Sequence, residues 1–240
     1  MKKLLLFFAI VSVAGMLASC NGNGKTAEAT SEEENTNVVE ETTMGSLAGH
    51  DWVDLGLPSG TKWATCNVGA SKPEEYGDYF AWGEPSTKVN YEWTTYSMCK
   101  GSDNTLIKYC NVSKYGDNDF TDKLTTLESA DDAATASWGK EWRIPTCNEF
   151  QELLDKCTWT WKDNGYEVKG VNGNTIFFPL PGSKSGQALF DDGKRAHYWS
   201  NLVHPDYPCY AYDIYLDSTS HKMNYEDRNY GNSIRPVCAK

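Results

Sequence analysis

From Leu4 to Ala18 nearly every position is apolar, with Ser12 the one polar break, and the run is 15 residues long. A helix that crosses a bilayer needs roughly 20, so this segment reads as an export signal rather than a span. No other stretch is long and apolar enough to span a membrane. From Asn21 to Ser46 the pattern empties. Val38 and Val39 are its large aliphatic residues, with Met44 near the boundary, against Glu28, Glu32, Glu33, Glu34, Glu40 and Glu41 and a single Lys25. Such a segment cannot bury enough apolar surface to offset its chain entropy, and disorder is predicted. As a flexible coil it spans roughly 25–30 Å. The boundaries placed on this basis are 1–20 for the signal, 21–48 for an acidic tether and 49–240 for a globular domain.

Inside the domain the apolar positions become periodic. His50 to Leu55 and Thr61 to Thr65, joined around Pro58-Ser59-Gly60, read as a hairpin. Ser129-Ala130-Asp131-Asp132 reads as a capping box for a short helix that stops at Gly139, and Thr146-Cys147-Asn148-Glu149 as a second one. The helix after Thr146 puts Phe150, Leu153, Leu154 and Cys157 on one face. The period then falls to two. Thr158 to Trp161, Tyr166 to Val168 and Thr175 to Phe178 are strands separated by turns at Asp163-Asn164-Gly165 and Asn172-Gly173. Further strands are expected at Ala196 to Ser200, Tyr210 to Leu216 and Ser233 to Ala239. Two helices set apart from antiparallel hairpins define an α+β domain.

Composition sharpens this division. All nine Trp and all fourteen Tyr lie in the globular part, and about 190 residues suffice for one domain with a real core. A net charge of −11 argues against a nucleic-acid or anionic-membrane partner, since either needs a basic face.

The leader begins Met1-Lys2-Lys3 and ends Leu17-Ala18-Ser19-Cys20. A positive start, a short apolar core and small residues before a cut site define a signal peptide, and the last four residues resemble a lipobox. The resemblance implies a lipid-modified Cys20 holding the mature chain at a membrane, which two or more acyl chains do stably. Ser31-Glu32-Glu33-Glu34 resembles the acidic export signals of lipoproteins of the Bacteroides group. An outer-membrane lipoprotein facing the cell surface is the resulting expectation.

Five segments occur in order through the domain: Trp63-Ala64-Thr65-Cys66-Asn67-Val68-Gly69-Ala70, Tyr79-Phe80-Ala81-Trp82-Gly83-Glu84, Trp142-Arg143-Ile144-Pro145-Thr146 with Glu149-Phe150, Tyr198-Trp199-Ser200, and Ser233-Ile234-Arg235-Pro236-Val237. Together they resemble the Fibrobacter succinogenes major paralogous domain, over His50 to Cys238. That family is similar to C-type lectin-like domains of the formylglycine-generating-enzyme type. The resemblance implies a C-type lectin-like α+β fold with antiparallel sheets, two short helices, terminal strands lying close together and long ligand-carrying loops. Trp82, Glu84, Trp142, Arg143, Trp199 and Arg235 read as structural motif residues. The tryptophans each offer a large apolar body with one N–H to satisfy. The two arginines are expected partly buried against a carboxylate or carbonyls, with Asp131, Asp132 and Glu84 as candidate partners.

Calcium-dependent lectins of this fold use Glu-Pro-Asn or Gln-Pro-Asp with a later Trp-Asn-Asp. This chain has Glu84-Pro85-Ser86 and His204-Pro205-Asp206, each short of one oxygen-bearing side chain, so no cofactor is expected, with a calcium site of another design left open. His50, His197, His204 and His221 show no zinc spacing. Beyond Cys20 the chain keeps cysteines 66, 99, 110, 147, 157, 209 and 238. Export permits disulfides, a local Cys99–Cys110 pair is plausible, and connectivity is not readable from sequence. Cys147 in the first turn of a helix is the one enzyme-like feature.

His197 to Ser233 holds seven of the fourteen tyrosines and three of the four histidines. Tyr with Ser and Asn suits adaptable recognition. Alternation places Tyr212, Ile214 and Leu216 toward the core and Asp213 and Tyr215 outward, with the loops 201–208 and 217–230 exposed. The candidate ligand-binding residues are Asn201, His204, Asp206, Tyr207, Tyr215, Asn224, Tyr225, Asp227, Asn229 and Tyr230. This stretch also resembles the variable regions of lectin-fold proteins diversified by retroelements. The expected function is binding of a glycan or protein ligand without catalysis. The alternatives are an enzyme of formylglycine-generating type working through Cys147, and a structural or adhesive envelope component.

Overall fold

The structure is a computed structural model that describes residues 43–239. The apolar leader, Cys20 and the acidic stretch as far as residue 42 lie outside the described residues. The fold is mostly antiparallel β-structure with two α-helices. It begins earlier than the composition suggests. Strand β1, Met44–Leu47, pairs antiparallel with β2, His50–Asp54. The two-residue turn between them holds Ala48 at φ 51° and Gly49 at φ 84°, the left-handed pair that a tight hairpin of this twist requires. Residues 44–48, expected in the tether, therefore belong to the folded domain. The acidic composition masked a strand with only two large apolar residues.

Strand β3, Lys62–Ala64, continues the hairpin expected from the sequence. The carboxy-terminal strand β13, Val237–Cys238, inserts between β3 and β4, Trp142–Arg143, completing a five-stranded sheet in the order β1-β2-β3-β13-β4. Residues 233–236, expected in a strand, do not extend it. Side chains alternate along each strand, and the inner strands of this sheet meet a core on both faces. Val53, Trp63 and Val237 face one core with Phe150, Phe178 and Ile214. Ala64, Trp142 and Cys238 face another with Trp82, Trp199 and Leu106.

Helix α1, Ala133–Trp138, starts later than the capping-box reading placed it. Asp132 is its N-cap, accepting from Thr135 N at 3.0 Å and from Ile144 N at 2.8 Å. Asp131 instead accepts from Lys108 Nζ at 2.6 Å. Helix α2, Cys147–Lys156, begins with the predicted capping box of Thr146 and Glu149 and buries Phe150 and Leu153. Strands β5 (Thr158–Lys162), β6 (Gly165–Lys169) and β7 (Thr175–Pro179) form the expected meander. A short hairpin follows, β8 (Ser183–Ser185) with β9 (Ala188–Phe190). The last sheet joins β10 (Arg195–Val203), β11 (Tyr210–Asp217) and β12 (Ser220–Asp227). β12 corrects the loop expected over 217–230. Its turn carries no Gly or Asn; Asp217 Oδ1 closes it by accepting from Thr219 N at 2.7 Å.

The motif residues pin the irregular region to this frame. The indole N–H groups of Trp82, Trp142 and Trp199 donate to Ser200 O (2.8 Å), Leu47 O (3.1 Å) and Phe80 O (2.8 Å). Glu84 accepts from Ser97 N at 2.6 Å and pairs with Lys88 at 2.7 Å. Arg143 finds none of its expected partners and pairs with Glu149 at 2.6 Å. Arg235 is fully buried. It donates to Asn67 Oδ1 (2.9 Å), Ala64 O (3.3 Å) and Phe177 O (2.9 Å). Arg228, which the sequence reading passed over, is also fully buried. It donates to Tyr96 Oη (2.9 Å), Pro208 O (2.8 Å), Tyr109 O (3.1 Å) and Lys108 O (3.2 Å), with its guanidinium 4.8 Å from the centre of the Trp82 ring.

The seven cysteines of the described residues are free thiols. Cys99 and Cys110, a plausible local pair by sequence, donate separately to Trp93 O at 3.2 Å and Val112 O at 3.3 Å.

Replacing Arg228 with Met strands several buried acceptors at once, each worth about 1–3 kcal/mol. Urea unfolding of R228M should show a midpoint lowered by at least about 3 kcal/mol of stability with the slope unchanged. Glu149 gives a pH-dependent counterpart. Burial pushes its carboxyl up, but hydrogen bonds from Arg143, Thr61 and Thr146 outweigh this and bring it down to about 2. A depressed carboxyl stabilises the fold above its unfolded pKa, and that contribution fades as pH falls toward about 2. Glu149→Gln should therefore cost about 2–3 kcal/mol at neutral pH. The difference from the parent chain should shrink steadily in acid, as read by thermal unfolding across that range.

Candidate binding surface

The β10–β11–β12 sheet carries different chemistry on its two faces. Tyr210, Tyr212, Ile214 and Leu216 of β11 share one face with Met223, Tyr225 and Asp227 of β12. Ile214 and Leu216 enter the core. Toward the other end the same face emerges as a group of rings. His204 lies 5.3 Å from Tyr212, 4.9 Å from Tyr225 and 5.2 Å from Tyr207, and Tyr210 lies 5.4 Å from Tyr225. Tyr115 joins Tyr207 at 6.3 Å, with Lys114 Nζ 4.7 Å above the Tyr115 ring. Tyr207 and Tyr225 remain 46% and 48% exposed. The loop that presents Tyr207 is held by His204 Nδ1, which accepts from Asp206 N at 3.2 Å, and by Asn111 Nδ2 donating to Pro205 O at 2.7 Å.

Tyr212 also walls a groove at the amino end of α2. Two adjoining depressions of about 270 and about 190 Å³ share Cys147, Asn148 and Leu202. Gln151, Tyr212 and Met223 complete the first, and Thr126, Thr146 and Asn201 the second. The rings and the amide- and hydroxyl-lined groove thus form one surface. Cys147 bonds the Ser200 hydroxyl at 3.1 Å, and burial pushes its thiol pKa up. That is the opposite of the depressed value a nucleophilic cysteine needs.

The other face is polar. A cleft of about 270 Å³ is lined by Arg195, His197, Tyr215, Asp217, Ser220, Lys222, Asn224 and Glu226. Asp213 lies beneath it, fully buried, with Oδ2 2.5 Å from His197 Nδ1. The alternation placed Asp213 on the right face but outside. The neighbouring Trp199 and Ala211 are core residues, and the sheet closes over it. Tyr215 donates to Asp217 at 2.7 Å.

Of the ten residues singled out, His204, Asp206, Tyr207, Tyr225 and Asp227 come together on or beside the aromatic face, and Asn201 lines the adjoining groove. Burial, with Asp103 nearby, raises the Asp227 carboxyl to about 6. Tyr215 and Asn224 lie on the opposite, polar face. Asn229 is buried and donates to Tyr91 O at 3.0 Å, so it belongs to the framework. Tyr230 is half-buried in the turn after β12, its N–H donating to Asp227 O at 3.0 Å. Tyr210, Tyr212 and Tyr115 were missed. The i, i+2 spacing of Tyr210 and Tyr212 was a usable signal, but the partner strand β12 was needed to read it.

No family model, curated protein or solved structure matches the chain.

His197 supplies a direct test of this geometry. Burial disfavours its imidazolium, but the Asp213 hydrogen bond and the Asp213 and Glu226 charges prevail and raise its pKa above 6.5. A raised folded pKa stabilises the fold below the unfolded value and loses that contribution as pH climbs through the folded one. NMR titration should place His197 above 6.5 and His221, which burial lowers, below it. His197→Gln should remove the loss of thermal stability that the parent chain shows on the alkaline side of that midpoint.

Proposed function

We propose that this chain is a lipid-anchored lipoprotein of the outer membrane, exposed at the cell surface, whose domain binds a glycan or protein ligand without catalysis. The reading of the anchor rests on Leu17-Ala18-Ser19-Cys20 and the acidic segment after it. The proposed fold type is C-type lectin-like. Its supports are the antiparallel sheets, the two short helices, and a carboxy-terminal strand lodged between β3 and β4. The ordered motif segments, whose tryptophans hold the irregular region to the sheets, add to them.

One observation carries the binding reading: half-exposed rings of Tyr207 and Tyr225 run through Tyr212 into a groove lined by amides and hydroxyls. Rings supply rigid contact area at small entropic cost, and amides supply direction. This is the arrangement that stacks a sugar ring or anchors a loop of another protein. The contact surface in this reading is made of rings, amides and hydroxyls, with Asp206 and Asp227 beside it, and its binding is independent of calcium, which needs about six to eight converging oxygens.

Full-length protein bound to a broad glycan panel, with calcium and with chelator, tests the reading. Binding indifferent to chelator and weakened at least about tenfold by Tyr207→Ala with Tyr225→Ala is expected, each lost aromatic contact being worth about 1 kcal/mol or more. Binding abolished by chelator refutes the calcium-free site. Binding untouched by the two substitutions refutes the aromatic surface. No glycan binding leaves the protein ligand, which the same variants test by crosslinking on intact cells.

A further inference from the structure

The polar face of the β10–β11–β12 sheet is unused by the aromatic surface, and its contents are unusual for a solvated sheet face. Arg195, His197 and Lys222 alternate there with Asp213, Asp217 and Glu226, and the formal charges sum to zero when all are ionised. Asp213 is fully buried with His197 held against it, and its second oxygen, Oδ1, has no hydrogen-bond partner. Burying a carboxylate is costly unless it is paired and hydrogen-bonded to a neighbour. The neighbour is the His197 ring. Nδ1 is committed to Asp213, with Glu226 Oε1 at 3.7 Å, and the ring lines the cleft.

We propose that this cleft is a second binding site, for a single ring of a neutral saccharide, with Lys222, Glu226 and His197 as its hydrogen-bonding groups and Tyr215 as its apolar wall. The inference is independent of the aromatic surface and shares no residue with it. A ligand of either net charge meets like charge within the same small wall. A neutral hydroxyl both donates and accepts, so adjacent hydroxyls use an ammonium and a carboxylate together. Tyr215 sits between His197, 5.2 Å away, and Lys222 Nζ, 5.6 Å away, and its hydroxyl is spent on Asp217. It therefore offers carbon surface rather than a further polar group. A volume of about 270 Å³ falls below the usual range for drug-sized ligands and suits one ring. Asp213 acts as a positioning residue, fixing which nitrogen of His197 is free.

The test is NMR titration of the full-length protein with glucose, galactose, mannose and N-acetylglucosamine, beside glucuronate and glycine. At least one neutral sugar should shift the His197 and Tyr215 resonances with a dissociation constant of about millimolar size, as few contacts allow. Lys222→Ala and Glu226→Gln, both at the cleft rim, should each weaken it about fivefold or more. Tyr207→Ala with Tyr225→Ala should leave it unchanged. Asp213→Asn should alter the His197 ring-nitrogen shifts and weaken binding together. The proposal is overturned if no neutral sugar shifts these resonances, or if the rim variants bind as well as the parent. It is also overturned if glycine or glucuronate binds in preference, which would assign the cleft to a charged ligand.

Discussion

The long irregular part of this domain has a problem that strands and helices do not have: its backbone carbonyls need donors, and no ladder provides them. Arg228 and Arg235 meet much of that need. Each guanidinium is fully buried, each spreads its N–H groups over carbonyls and amides of separate segments, and neither relies on a carboxylate. Arg228 gathers the segment around residues 96–109 onto the end of β12, against the rings of Trp82, Tyr96 and Tyr109. Arg235 ties β3 to β7 across the two cores. A rigid planar fork with five donors suits this task better than a lysine does.

The frame so fixed places the candidate binding surface. The end of the β10–β11–β12 sheet and the loop 204–209 are held by Arg228 through Pro208 and by Trp82 through Ser200. The rings of Tyr207, Tyr212 and Tyr225 therefore stand on a braced support rather than a free loop. Because side chains alternate along a strand, the same strands present charge on the opposite face. Two chemically distinct surfaces, one aromatic and one mixed-charge, share one backbone.

Much of the fold was legible where the deciding interactions are local. The capping box at Thr146 and Glu149, the meander from Thr158 to Pro179 and the hairpin of β2 with β3 are written in short-range turn and cap chemistry, and they stand where that chemistry puts them. The failures share a cause. β12 has a polar sequence because its aromatic side chains project from a partly solvated face and its charges line a cleft, so no apolar alternation marks it. β1 hides behind an acidic neighbour. Asp132 displaced Ser129 as a cap because it also binds Ile144 N, a contact from beyond the helix.

The candidate site divides in the same way. Composition alone was enough to single out the Tyr- and His-rich stretch and to name His204, Tyr207 and Tyr225, since residue type carries the chemistry of recognition. The antiparallel plan, too, could be read from the sequence. Only the tertiary structure decided that Tyr215 and Asn224 belong to the opposite face, that Asn229 is framework, and that Asp213 is buried. Those outcomes depend on which strands meet and in what register, and a shift of one residue exchanges the faces. The sheet is seated in the domain by Arg228, Trp82 and Trp199, whose hydrogen bonds reach across more than a hundred residues, a distance at which a linear pattern of polar and apolar positions carries no information.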